Sequence, residues 1–261
     1  MNEPVIDTAT AHSARVWNHW LGGKDNYPAD REVGDHIREI FPGIVTAARA
    51  DRAFLVRVVT HLVLEAGVRQ FLDIGTGLPT ANNTHEVAQA LAPESRVVYV
   101  DNDPLVLSHA RALLTSVPEG TTHYVDADMH EPEKVLAAAR EHLDFTRPIG
   151  LTIMGTLGHI ADDATARSLV RAYVDALPSG SHFAANDSTN TSAEVVEAAE
   201  HWNANSAAPM HLRSPERIEE FFDGMELLEP GVVSVSRWRP DTTDAGVPEH
   251  VDQYGGLARK P

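Results

Sequence analysis

The chain has 261 residues, 43% hydrophobic and 23% charged, the proportions of a globular protein with room for one large α/β domain or two small ones. Lys and Arg number 21 against 38 Asp and Glu, and the field of a net charge of −17 repels phosphate backbones, so no nucleic-acid partner is expected. The absence of cysteine excludes disulfides, thiolate catalysis and thiolate zinc sites, and no apolar run approaches the ~20 residues of a transmembrane helix, so no membrane partner is expected either.

Met1-Asn2-Glu3-Pro4 lacks the basic and apolar parts of a signal peptide, which makes the cytoplasm the expected location, and the residues up to about Thr10 read as poorly ordered. From Ala11 to Leu21 the spacing of Val16, Trp20 and Leu21 predicts a helix that Gly22-Gly23 ends. The following Lys24-Asp25-Asn26-Tyr27 offers charge, amide and aromatic surface beside a hinge, so a turn and a lid both remain open. Helical spacing continues over 30–40 and 44–65, where Phe54, Leu55, Val58, Val59, Leu62 and Val63 share a stripe, and Gly67 is placed to stop the helix. Residues 1–66 are thus a helical preface.

The first strand, Phe71-Leu72-Asp73-Ile74, carries one carboxylate and runs into Gly75-Thr76-Gly77. A helix follows near Asn83, with Glu86 placed to complete a capping box. Strand, glycine turn and helix is how an open α/β sheet presents a nucleotide-like ligand at its strand ends. A glycine pair alone leaves a ligand loop and a plain turn both open. The third position of a dinucleotide fingerprint is Thr80, and Asp73 disfavours a diphosphate while favouring an amine-bearing ligand.

Strands and helices then alternate, the pattern of βαβ units. Val97–Val100 ends in Asp101-Asn102-Asp103-Pro104, where Asp103 and Pro104 start a helix from Leu105 to about Leu114. Asp101 follows Gly77 by 24 residues, close to the spacing at which a strand-end acid meets ribose hydroxyls. A third strand, Thr122–Val125, leads to Asp128 and Met129, a carboxylate for an exocyclic amine and an apolar cover for a purine face. After a helix around Glu133–Glu141, the strand Ile149–Met154 opens into Gly155-Thr156-Leu157-Gly158-His159. His159 is the candidate general base and Asp187 the second. The 14 histidines include no H-E-x-x-H pair, and no metal site is expected. A helix from Asp162 or Asp163 to Leu177, a strand His182–Ala185, a helix after Thr191 and a short helix capped by Ser214-Pro215-Glu216 follow. Val232–Trp238 and Gln253–Arg259 are expected to pair as a hairpin around the polar loop Pro240–Glu249.

A glycine loop for an aminoacyl chain, an acid for a ribose and an acid for an adenine resemble the class I S-adenosylmethionine-dependent methyltransferases over about residues 67–261. More narrowly, Ala14-Arg15-Val16-Trp17-Asn18-His19-Trp20-Leu21-Gly22-Gly23-Lys24-Asp25-Asn26-Tyr27, with 71–80 and 99–104, is similar to a bacterial methyltransferase family formerly classed as a domain of unknown function. The resemblance implies a Rossmann-like α/β fold: a mostly parallel seven-stranded sheet with a C-terminal antiparallel hairpin, an N-terminal helical lid over 1–66 and the cofactor domain over 67–261. It implies S-adenosylmethionine as cofactor; the acid-rich surface fits a small molecule or a protein as acceptor better than RNA, and a small-molecule substrate is expected. Gly75, Thr76 and Gly77 would line the methionine end, with Asp73 on its ammonium; Asp101 would take the ribose, with Asn102, Asp128 and Met129 at the adenine. Gly155 and Thr156 would close the floor, and Asn26 and Tyr27 would belong to a lid over the sulfonium. A protein that binds S-adenosylmethionine without catalysis is the first rival. A nicotinamide-dependent oxidoreductase is the second, although it would want a third glycine and no Asp73.

Overall fold

A computed structural model describes residues 7–113, 116–206, 208–240, 246 and 248–261. Residues 1–6, Leu114 at the expected end of one helix, and 241–245 and 247 of the polar loop lie outside the described residues. The parallel strands β1 (Gln70–Ile74), β2 (Arg96–Asp101), β3 (Thr121–Asp126), β4 (Gly150–Met154) and β5 (His182–Ser188) form the body of one sheet, which β6 (Glu226–Leu227), β7 (Val233–Ser234) and β8 (Gln253–Arg259) extend. Its order is β3-β2-β1-β4-β5-β8-β6, with β7 also paired to β8. β1 sits between β2 and β4, with Phe71 beside Val97 on one side and Gly150 on the other. Chain order reverses between β1 and β4, and a ligand crevice is expected at the carboxyl ends of those strands.

Alternation along the strands divides the core. Phe71, Val97 and Leu257 face the helices α1 (Ser13–Trp20), α2 (Pro28–Ile40), α3 (Ile44–Leu64) and α8 (Ala193–Asn205). Leu72, Ile74, Val98 and Ile153 face α6 (Pro132–Ala139) and α7 (Asp163–Ala176) on the other side. The stripe of α3 lies across β4, β5 and β8, with Phe54, Val58 and Leu62 fully buried. The helices α4 (Thr84–Leu91), α5 (Pro104–Leu113) and α9 (Pro215–Glu219) complete the described set. The expected capping box starts α4: Glu86 Oε2 accepts from Asn83 N at 2.8 Å.

Several boundaries differ from the sequence expectation, among them β5, which runs to Ser188 rather than Ala185. α2 begins at Pro28, because Asp30 Oδ2 accepts from Tyr27 N at 2.8 Å and Pro28 takes the first helical position. α6 stops at Ala139. The long strand expected over Val232–Trp238 shortens to Val233–Ser234, after which a 3-10 turn drives Val235 and Trp238 into the core. Arg57 locks that turn by donating to Trp238 O at 2.8 Å and Val235 O at 2.6 Å. A turn in which Gly231 N donates to Leu228 O separates the second, unexpected strand Glu226–Leu227. The antiparallel hairpin is present, but the outer partner of β8 is two short pieces rather than one strand.

Candidate active site

The carboxyl ends of β1, β2 and β4 open into a cavity of about 370 Å³. Its sheet wall is made of turns. Gly75, Gly77 and Gly155 have φ of 72°, 63° and 61°, the left-handed region where a side chain is strained. A Cβ on Gly75 would stand 2.3 Å from Thr156 Oγ1, so this glycine lets the turns after β1 and β4 touch. A Cβ on Gly155 would meet nothing within 4 Å. Asp101 Oδ2 accepts from Gly77 N at 2.9 Å and its Oδ1 from Asp103 N at 3.0 Å, so the acid at the end of β2 is aimed by the backbone of two turns. Burial raises the Asp101 carboxyl above the usual range, against the pull of those N–H groups. Asp73 is buried at the end of β1, where Thr84 donates to its Oδ2 at 2.6 Å, and desolvation raises it too.

The opposite wall comes from the N-terminal helices. Trp17 and Asn18 of α1 line it, as do Asp51 and Arg52 of α3. α1 is fixed by a fully buried carboxylate, Asp30, whose Oδ1 accepts from Arg15 Nε at 3.1 Å and from His12 N at 3.0 Å. His12 Nδ1 also comes within 3.0 Å of Asp103 Oδ2, which ties the start of α1 to the turn after β2. Asp51 is buried and accepts from Asn186 Nδ2, while Asn186 Oδ1 accepts from Gly155 N at 3.0 Å. Arg52 lines the cavity and donates from Nη2 to Asn82 O at 3.0 Å, and its Nε is buried with no hydrogen-bond partner among the described residues.

His159 ends a 3-10 turn after β4 that Arg213 clamps by donating to Leu157 O at 2.9 Å and to Ile160 O. The ring's Nδ1 lies 3.0 Å from Pro209 O, a carbonyl that can only accept, so Nδ1 carries the proton. Nε2 is then the free lone pair, 3.3 Å from Ser13 Oγ. Desolvation holds the imidazole below its ordinary pKa, so it is neutral at pH 7.

Of the residues expected at the site, the cavity brings together Asp73, Gly75, Thr76, Gly77, Asp101, Asn102, Asp128, Met129, Gly155, Thr156 and His159. Asn102 is exposed at the rim. Asp128 Oδ1 accepts from His130 N at 2.9 Å, which leaves Oδ2. Two expected lid residues stand outside the lining. Asn26 donates from Nδ2 to Asn18 Oδ1 at 3.0 Å and reaches the cavity only through it. The Tyr27 ring is occupied by Arg15, 5.3 Å from its centroid, and by Leu78 and Leu105. Asp187 lies behind Gly158, where an added Cβ would stand 2.8 Å from its Oδ1. Burial pushes the Asp187 carboxyl up to about 7 against the Ser188 N–H and the charge of Arg213.

Sequence reading missed Asp51 and Arg52. A signal was available, since Asp51 shares helical spacing with Phe54, Leu55, Val58 and Leu62, which places a carboxylate on a buried stripe. No three-residue cluster of metal-ligating side chains occurs among the described residues, and no described helix is long and apolar enough to cross a membrane.

The whole chain, residues 1–261, matches a family described as S-adenosyl methyltransferase. The structure is similar to that of a DUF574 family protein from Streptomyces avermitilis MA-4680, with 48% identity, coverage of 98% of this chain and 99% of that one, and a TM-score of 0.93. It is also similar to a candidate methyltransferase from Thermobifida fusca YX, with 40% identity, coverage of 97% and 96%, and a TM-score of 0.87. A SAM-dependent methyltransferase from Anabaena variabilis ATCC 29413, 14% identical over 98% of both chains with a TM-score of 0.53, shares the fold. No curated protein matches the chain.

Proposed function

Because the chain belongs to the S-adenosyl methyltransferase family, we propose that the strand-end cavity is where its cofactor, S-adenosylmethionine, binds and where the methyl group passes to a small-molecule acceptor. The observation that carries this reading is that Asp101, aimed by Gly77 N, and the cationic side chain of Arg52 line the same cavity. An α-amino acid joined to a ribose needs a cation for its carboxylate, an anion for its ammonium and an acceptor for its diol. Arg52, Asp73 and Asp101 are those three groups.

Gly75, Thr76 and Gly77 line the methionine end, and Asp101 accepts from the ribose hydroxyls. Asp128, Met129 and Asn102 meet the adenine, while Gly155 leaves the floor open and Thr156 packs under Gly75. Residues 1–66 act as the cap on the cofactor domain of 67–261, with Trp17, Asn18 and Arg52 as its inner surface. Asn26 braces Asn18 from behind, and Tyr27 supports Arg15 rather than facing the ligand. Bound there, S-adenosylmethionine supplies an electrophilic methyl group on a sulfonium. The protein's part is to align the acceptor and exclude water, and His159 Nε2, through Ser13 Oγ, can take a proton from a protonated acceptor.

Calorimetric titration with S-adenosylmethionine, S-adenosylhomocysteine and NAD tests this reading. The first two should bind and NAD should not, and Asp101→Ala should weaken both by roughly 10- to 100-fold, the range for a hydrogen bond to a charged group. Binding of NAD alone would overturn it.

A further inference from the structure

Among the carboxylates of the large cavity, Asp51 is the one with no part of the cofactor assigned to it. It stands on α3, only 8% exposed, in the cavity lining. Its Oδ1 accepts from Asn186 Nδ2, and among the described residues no other group donates to the carboxylate and no cation forms an ion pair with it. Burial raises the carboxyl above its ordinary range, against the Asn186 hydrogen bond and the charge of Arg52. An anion that has lost water without gaining a cation costs stability until a donor or a positive charge meets it.

The sheet order places Asp51 beyond the cofactor. Asp128 and Asp101 mark the ends of β3 and β2, Asp73 that of β1, and Gly155 follows β4. In the order β3-β2-β1-β4-β5, the groups assigned to adenine, ribose and methionine therefore run along the row and stop at β4. Asp51 belongs one strand further on, because Asn186 of β5 holds it and also accepts from Gly155 N at 3.0 Å. Arg52, the next residue of α3, turns the other way, to Asn82 O in the loop after β1. Trp17, Leu55 and Met154 in the same lining offer apolar surface to a carbon skeleton. We infer that Asp51 is the acceptor-binding residue and that the acceptor is an amine on an apolar skeleton, held through its ammonium. This rests on the methyltransferase reading above. An alcohol or phenol brings a donor and no charge, which leaves the anion uncompensated, whereas an ammonium brings both. For transfer, the ammonium gives one proton to His159 Nε2 through Ser13 Oγ. The nitrogen lone pair then forms the C–N bond, and the C–S bond breaks with its electron pair going to sulfur. The product leaves as a methylammonium, with Asp51 still its counter-ion.

The test is calorimetry on the full chain with S-adenosylhomocysteine and with sinefungin, an analogue that carries an amine-bearing carbon in place of the methylated sulfur. Sinefungin should bind roughly 10- to 100-fold more tightly than S-adenosylhomocysteine, the range for a charge-assisted hydrogen bond. Asp51→Asn should remove that preference and leave S-adenosylhomocysteine binding unchanged, which also shows that the variant is folded. A second arm titrates benzylamine and benzyl alcohol into the S-adenosylhomocysteine complex. Benzylamine should be preferred by a similar factor in the wild type, and the two should bind equally in Asp51→Asn. Either preference surviving in Asp51→Asn, or either one missing from the wild type, would overturn the inference while leaving the cofactor reading intact. A wild-type chain that does not bind S-adenosylhomocysteine would overturn the cofactor reading, and the inference with it.

Discussion

The two walls of the large cavity are built by different means. On the sheet side, Asp101 is aimed by the backbone N–H groups of Gly77 and Asp103, and Gly75 and Gly155 supply the shape. On the helical side, position depends on buried polar side chains: Asp30 holds Arg15 and the start of α1, and Asp51 holds Asn186. A wall held by backbone loses little when one side chain is truncated. A wall held by buried charge fails when one partner goes, since the remaining ion is stranded away from water.

That contrast sets the scale of what substitutions should do. The largest loss is expected from Asp30→Ala, which strands Arg15 and frees two backbone N–H groups. Denaturant unfolding should show a loss of about 3–5 kcal/mol. A loss under 1 kcal/mol would mean that α1 is held by its apolar face alone. Gly75→Ala comes next: strain at φ 72° adds to a Cβ 2.3 Å from Thr156 Oγ1, so about 1–3 kcal/mol should disappear. Gly67→Ala is the control, because at φ 69° its Cβ would meet nothing within 4 Å and only the strain should register.

Asp187 sharpens the comparison through pH. Its folded pKa of about 7 lies above the ordinary 3.8, so the native state binds more protons than the unfolded chain between those values. Stability from this group is therefore highest in acid and falls as pH rises through that window, with a slope of at most about 1.4 kcal/mol per pH unit. Asp187→Asn should flatten that slope in a series of melts from pH 4 to 8. An unchanged slope would locate the titration elsewhere. The smallest effect belongs to Glu86→Ala, which removes half of the capping box at α4 and should cost about 0.5–1 kcal/mol without moving any cavity residue.

The same division explains what the sequence made legible. The sheet wall is local: Asp73, Gly75, Gly77, Asp101 and Gly155 each sit where a strand meets its turn, and hydrophobic runs mark the strands. The cap depends on partners far apart in the chain, Arg15 with Asp30 and Asp51 with Asn186, which no spacing rule pairs. Tyr27 illustrates the limit. The family resemblance implied a lid role for its ring over a sulfonium, and the cation the ring meets in the fold is Arg15. The split outer strand is a related case, because the apolar run Val232–Trp238 carries no sign that Arg57 of α3 would draw its second half out of the sheet.

If the two walls grip one ligand, Arg52 of the helical wall meets its carboxylate and the sheet wall meets its nucleoside. The direct test is calorimetry on wild type and Arg52→Leu with S-adenosylhomocysteine and with 5′-methylthioadenosine, which keeps the nucleoside but lacks the amino-acid portion. Arg52→Leu should weaken S-adenosylhomocysteine by roughly 10- to 100-fold, the range for a charge-assisted hydrogen bond, and leave methylthioadenosine unchanged. Equal loss for both ligands, or loss for neither, would contradict the claim.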